Sequence, residues 1–140
     1  MLTDPRFTTE VEITVPFHDV DMMGVVWHGN YFSYFEIARE ALLNQFDYGY
    51  RQMKASGYVW PVVDTRVKYR DAVTFEQRIR IRAHIEEVEN RLRIAYQIFD
   101  AQTGKRTTTG YTIQVAVEEA SREMCFVSPA ILFERMGIAP

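Results

Sequence analysis

A single cysteine, Cys125, stands among the 140 residues, so no disulfide can form within the chain and any fold must rest on packing. One thiol also fits a reducing compartment, and a cytoplasmic location is expected. No apolar run approaches the roughly 20 residues needed to cross a bilayer, and the opening Met-Leu-Thr-Asp-Pro-Arg lacks a basic segment followed by an apolar one. No membrane span is therefore expected. Neither sign of charge is in large excess: 16 Lys and Arg against 19 Asp and Glu leave a net charge of -3, without the basic field that draws in phosphate backbones. Nucleic acid is excluded as an expected partner. The Gly-x-Ser-x-Gly signature is missing and Cys125 has no adjacent histidine, which argues against serine or cysteine nucleophiles. With no Gly-x-Gly-x-x-Gly or phosphate-loop sequence, a bound nucleotide would have to be held by side chains and irregular backbone. There is no internal repeat, low-complexity stretch or linker.

What is present is a core-forming chain, 47% apolar, of a length that predicts one domain over 1–140. From Phe7 to Phe17 apolar and polar residues alternate with the period of a half-buried strand. Residues 30–46 place Tyr31, Tyr34, Phe35, Ala38, Ala41, Leu42 and Phe46 at helical spacing, with Asn30 as the expected N-cap. Phe32, Ile37 and Leu43 widen that stripe so far that most of the helix must be covered. A shorter helical turn is expected over 48–55, closed by Gly57. Period-two alternation then returns over 59–69, 75–86, 92–98 and 107–117, with Asp100-Ala-Gln-Thr-Gly104 as a turn. Short connections favour antiparallel neighbours, because parallel pairing needs a crossover of a dozen or more residues. The expectation is an α+β chain whose long antiparallel sheet curls around one central apolar helix. Residues 121–140 read as a C-terminal extension with a helical turn after Pro129.

Chemistry concentrates in the segment from His18 to Tyr31. Asp21 lies in the turn between the first strand and the helix, where a carboxylate can attack a carbonyl or activate water, close to free N–H groups at a helix start that can receive an oxyanion. Gly24 permits a positive φ in that turn, and Gly29 would let a substrate approach the backbone closely. The plain alternative is that Asp21 caps its own turn and Gly24 only shapes it. Asp19, two residues away, should face elsewhere and serve the structure. His18, Asp19, Asp21 and His28 match no metal-ligand spacing, so no metal is expected. Glu36 and Glu40 sit one turn apart on the helix, where pairing with Arg39 on the surface is the simpler account.

The stretch Asp19-Val-Asp-Met-Met-Gly-Val-Val-Trp-His-Gly-Asn-Tyr-Phe-Ser-Tyr-Phe-Glu-Ile-Ala-Arg39 resembles the signature of the 4-hydroxybenzoyl-CoA thioesterase family of hotdog-fold proteins, including the Tol-Pal-associated type. The resemblance covers Asp-x-x-Gly-x-Val-x-x-x-x-Tyr and the following helix, and it implies a hotdog fold and hydrolysis of an acyl-CoA thioester. It places Asp21 as nucleophile or general base and the backbone N–H of His28 on the thioester oxygen, with Gly24 in the tight turn. Gly24, Trp27, Gly29 and Tyr31 are the residues expected to bind the substrate. Trp27 is similar to the aromatic-substrate members and His28 to the Tol-Pal-associated ones, so the motif selects no acyl class. Coenzyme A would enter as part of the substrate, with no further cofactor, and the site would lie at a subunit interface of a homodimer or homotetramer. The rows Arg66, Lys68, Arg70 and Arg78, Arg80, Arg82 would meet coenzyme phosphates or form a solvated sheet face. A non-catalytic acyl-CoA or acyl-carrier-protein binding protein is the alternative; a hotdog hydratase lacks the Asp-x-x-x-x-His pairing it would need.

Overall fold

A computed structural model describes residues 2–140, so of the domain expected over 1–140 only Met1 lies outside the described residues. Five strands, β1 (Thr8–Thr14), β3 (Val62–Tyr69), β4 (Arg78–Glu87), β5 (Leu92–Asp100) and β6 (Arg106–Gln114), form one antiparallel sheet in the order β1-β4-β5-β6-β3. A second, two-stranded sheet pairs β2 (Tyr58–Val59) with β7 (Val117–Glu118). The long helix α1 (Tyr31–Asn44) lies on the inner face of the large sheet against β1 and β4. Two short helices, α2 (Tyr50–Ala55) and α3 (Ala130–Met136), complete the chain. This is the hotdog architecture: a curled antiparallel sheet holding one central helix.

The sheet forms where strict alternation lets one face go dry. Ile79, Ile81, Ala83 and Ile85 of β4 and Leu92, Ile94, Tyr96 and Ile98 of β5 are buried. Their outward neighbours Arg78, Arg80 and Arg82 reach Glu12 and Glu10 of β1, and Arg80 and Arg82 also lie over the Phe99 ring. These three arginines therefore belong to the outer sheet face. On the inner face Phe35 of α1 stacks on Tyr96 with ring centroids 4.4 Å apart. A Cβ on Gly110 of β6 would meet the Phe35 ring at 2.7 Å, so this glycine lets the helix settle onto the sheet.

Several element boundaries differ from expectation, each for a local reason. The first strand does not run from Phe7 to Phe17: Phe7 closes a 3-10 turn over Pro5–Phe7, and Pro16 leads into another over Phe17–Asp19. Phe17 is consequently 74% exposed, not inward-facing. The alternation over 59–69 is broken after β2 at Trp60 and Pro61, where proline supplies no N–H to a ladder, and that over 107–117 breaks between β6 and β7. Phe75 and Glu76 belong to the approach to β4, with Glu76 at φ 66°. Asn30 holds the N-cap position of α1, but its side chain makes no capping hydrogen bond. Residues 28–30 already form a 3-10 turn, Asn30 is itself helical, and its Nδ2 donates to the Asp19 carbonyl at 2.9 Å. The helix stops at Asn44, before Phe46. Its covered stripe is also narrower than expected, because Phe32 and Ile37 remain exposed. Residues 130–136 are more than an appendage: Leu132, Phe133 and Met136 of α3 join the main core, and Gly137 closes the helix at φ 69°.

Candidate active site

The loop from Asp19 to Asn30 folds back on itself before α1 begins. Val20 and Val26 form an antiparallel bridge, the Asp21 N–H donates to the Val25 carbonyl at 2.9 Å, and the Gly24 N–H donates to the Asp21 carbonyl at 3.0 Å. Gly24 takes φ 78° with open space where a Cβ would stand, so conformation alone demands glycine there. Within this turn Oδ1 of Asp21 accepts the Met23 N–H at 2.8 Å and the Val25 N–H at 3.4 Å. Among the described residues the other carboxylate oxygen, Oδ2, has no partner, and the side chain is exposed. Asp21 thus caps its own turn with one oxygen and presents the other.

Asp19 ties this turn to the helix. Its carbonyl accepts both the Trp27 N–H at 3.0 Å and Asn30 Nδ2, while its carboxylate accepts the Tyr34 hydroxyl at 2.8 Å. Burial, and then this bond to a carboxylate, push the Tyr34 phenol above its ordinary range. The structural role expected for Asp19 is the one observed.

The chain enters the helix at Trp27, whose backbone is extended, and His28 begins the 3-10 turn. Among the described residues neither the His28 nor the Gly29 amide finds an acceptor in the chain, as the first N–H groups of a helix cannot within the helix itself. Such amides, backed by the helix dipole, suit a developing oxyanion. The His28 ring lies 4.9 Å from that of Trp27, and its carbonyl oxygen accepts the Tyr69 hydroxyl at 2.7 Å.

The structure defines the surroundings of two residues expected to bind substrate. A Cβ on Gly29 would stand 2.2 Å from the Trp27 ring, so the indole, 53% exposed, covers the side of this glycine where a side chain would project. Tyr31 is buried, with its ring edge-on to Tyr69 at 4.9 Å and to Tyr34 at 6.0 Å. Burial raises its phenol pKa. A concavity of about 310 Å³ joins His28 and Tyr31 to Val25, Val26, Tyr69 and Arg70; Asp21, Gly24, Trp27 and Gly29 do not line it. Tyr69 escaped sequence reasoning, since in its own strand it is only one more member of a period-two pattern. Among the described residues no three His, Cys, Asp or Glu side chains gather as a metal-binding set. No helix among them is long and apolar enough to cross a membrane.

The chain is similar to several known proteins. A candidate esterase of Synechocystis is 29% identical over 128 residues, 91% of this chain and 77% of that one. A candidate acyl-CoA thioesterase of Bacillus subtilis is 26% identical over 119 residues, 81% of this chain and 76% of its own. The crystal structure of a DHNA-CoA thioesterase from Staphylococcus aureus superposes with a TM-score of 0.78 at 28% identity, covering 85% of this chain and 80% of that one. The family model of the thioesterase-like superfamily matches residues 15–133, and the chain belongs to that superfamily.

Proposed function

We propose that this chain hydrolyses an acyl-CoA thioester to the free acid and coenzyme A, and that it stands with the 4-hydroxybenzoyl-CoA thioesterase type within its superfamily. The observation that carries the reading is the pairing, on one short loop, of a carboxylate with a free oxygen and two helix-start amides without acceptors. Names of relatives support the substrate class: candidate acyl-CoA thioesterase for one, DHNA-CoA thioesterase for another. In the proposed reaction the thioester oxygen receives the N–H groups of His28 and Gly29. Asp21 attacks the carbonyl carbon directly or takes a proton from the attacking water. By direct attack the carbon–sulfur bond breaks to leave an Asp21–acyl anhydride, which water then cleaves to release the acid and restore the carboxylate; by the other route the water oxygen adds to the carbonyl carbon while Asp21 takes its proton, and the carbon–sulfur bond breaks. In both, the sulfur takes up a proton and leaves as the coenzyme thiol. Neither route requires a metal or a further cofactor. We place the reaction in the cytoplasm, where a single unpaired cysteine is ordinary.

A second copy of the chain is proposed to complete the site, giving a homodimer or homotetramer. β3 is an edge strand with Val62 and Val63 exposed, and Phe32 and Ile37 leave apolar surface on α1. A purely monomeric sedimentation profile at micromolar concentration would contradict this.

Free-thiol release from a panel of short, long and aromatic acyl-CoAs tests the function, with wild type beside Asp21→Asn. The asparagine retains an oxygen for the Met23 N–H, so the turn survives while the base or nucleophile is lost. Hydrolysis should fall by about 10²- to 10⁴-fold. Full activity in the variant refutes the role of Asp21, and binding without turnover by wild type moves the chain to the acyl-binding class.

A further inference from the structure

The Tyr69 hydroxyl reaches the His28 carbonyl oxygen at 2.7 Å from a position 41 residues away in sequence. That oxygen and the Gly29 N–H are the two ends of one peptide unit. A hydrogen bond to a carbonyl oxygen draws electron density from the amide nitrogen and strengthens the N–H as a donor. The neighbouring unit is built alike, because the Trp27 oxygen, which shares its peptide with the His28 N–H, accepts the Asn30 N–H at 2.9 Å. Both free amides therefore belong to peptides whose oxygens are tied back. One is tied by the helix turn itself, and the other by a side chain from β3.

The Tyr69 ring is set for this task. It meets the buried Tyr31 ring edge-on at 4.9 Å and lines the same concavity as His28, while remaining 46% exposed. Its packing is thus partial, whereas its hydroxyl makes a short and specific contact. We propose that Tyr69 is a positioning residue for hydrolysis, fixing the plane of the His28–Gly29 peptide and polarising the Gly29 N–H toward the thioester oxygen. This deepens the thioesterase reading and rests on it. Burial also raises the Tyr69 phenol above its ordinary value, so the hydroxyl stays a donor at neutral pH.

Tyr69→Phe removes one oxygen and leaves the ring. Strengthening one of two oxyanion hydrogen bonds by roughly 10–30% corresponds to about 2- to 5-fold in rate. We therefore expect kcat for the best substrate of the panel to fall by about 2- to 5-fold, with KM within about 1.5-fold and the melting temperature unchanged. The Gly29 amide resonance in a ¹H–¹⁵N spectrum of the free protein should move upfield. A KM that rises while kcat holds, or a Gly29 resonance that stays in place, overturns the proposal. Tyr69→Leu separates hydroxyl from ring: kcat should fall in both variants, and a fall confined to leucine would assign the effect to packing and refute it. If wild type hydrolyses no thioester, the functional reading fails, and the Gly29 resonance alone then decides whether Tyr69 polarises that peptide.

Discussion

Replacing Gly110 with alanine should destabilise this protein severely, although at most ordinary positions the same change is neutral or helpful. The backbone at Gly110 is not left-handed, so by conformational entropy alone alanine would stabilise by about 0.4–1 kcal/mol. The surroundings reverse the sign. An added Cβ would lie 2.5 Å from the Arg66 carbonyl oxygen and 2.7 and 2.8 Å from two atoms of the Phe35 ring. Carbon atoms rest at about 3.5 Å or more, so the ring would have to retreat by about 0.8 Å. It has little room, being fully buried and stacked on Tyr96 at 4.4 Å, while Arg66 belongs to the paired strand. Overpacking costs about 1–3 kcal/mol, and with two hard contacts the upper end applies, about 3 kcal/mol. For a chain of this size that is roughly a 10 °C fall in melting temperature. Calorimetry and urea unfolding at one fixed protein concentration would measure it, fixed because any self-association shifts apparent stability. Phe35→Leu in the Gly110→Ala background removes the ring overlap and should cost less than the sum of the two single changes. A melting temperature within 2 °C of wild type, or strict additivity, would refute the claim that this glycine seats the helix.

Gly24→Ala should cost about 1–2 kcal/mol by urea unfolding, all of it from the left-handed backbone, because nothing stands within 4 Å of the new methyl group. Asparagine there should cost less. Tyr34→Phe removes the donor to Asp19 and should lower stability by about 1–3 kcal/mol in thermal melts, with retention of wild-type stability counting against the tie between loop and helix. Because the folded state raises the Tyr34 phenol above the ordinary 10.0, the native chain keeps a proton that the unfolded chain sheds first. Stability should therefore decline as pH rises past about 10 and through the raised folded pKa, with a shallower decline in Tyr34→Phe; parallel profiles would contradict it.

The regular elements were legible because their rules are local. Alternation of Ile79, Ile81, Ala83 and Ile85 against arginines needs only a period of two, and α1 needs only helical spacing. The Asp21–Gly24 turn likewise spans a few residues. Strand ends were less legible: Pro16 and Pro61 interrupt patterns that continue on paper, and a one-sided count of apolar residues could not show that Phe32 and Ile37 stay uncovered. Cys125, the charge balance and the missing nucleophile motifs bounded the chemistry without placing an atom of it.

What the amino-acid order determined by itself was the class of fold, the strand-turn-helix segment and the carboxylate within it, since each follows from neighbours along the chain. Only the tertiary structure decided that Asp19 binds Tyr34, that Trp27 covers Gly29, and that Gly110 makes room for Phe35. It alone brought Tyr69 to the His28 carbonyl. Such contacts depend on sheet order and on how closely the helix approaches the sheet, and no periodicity read along one strand contains the distance to another.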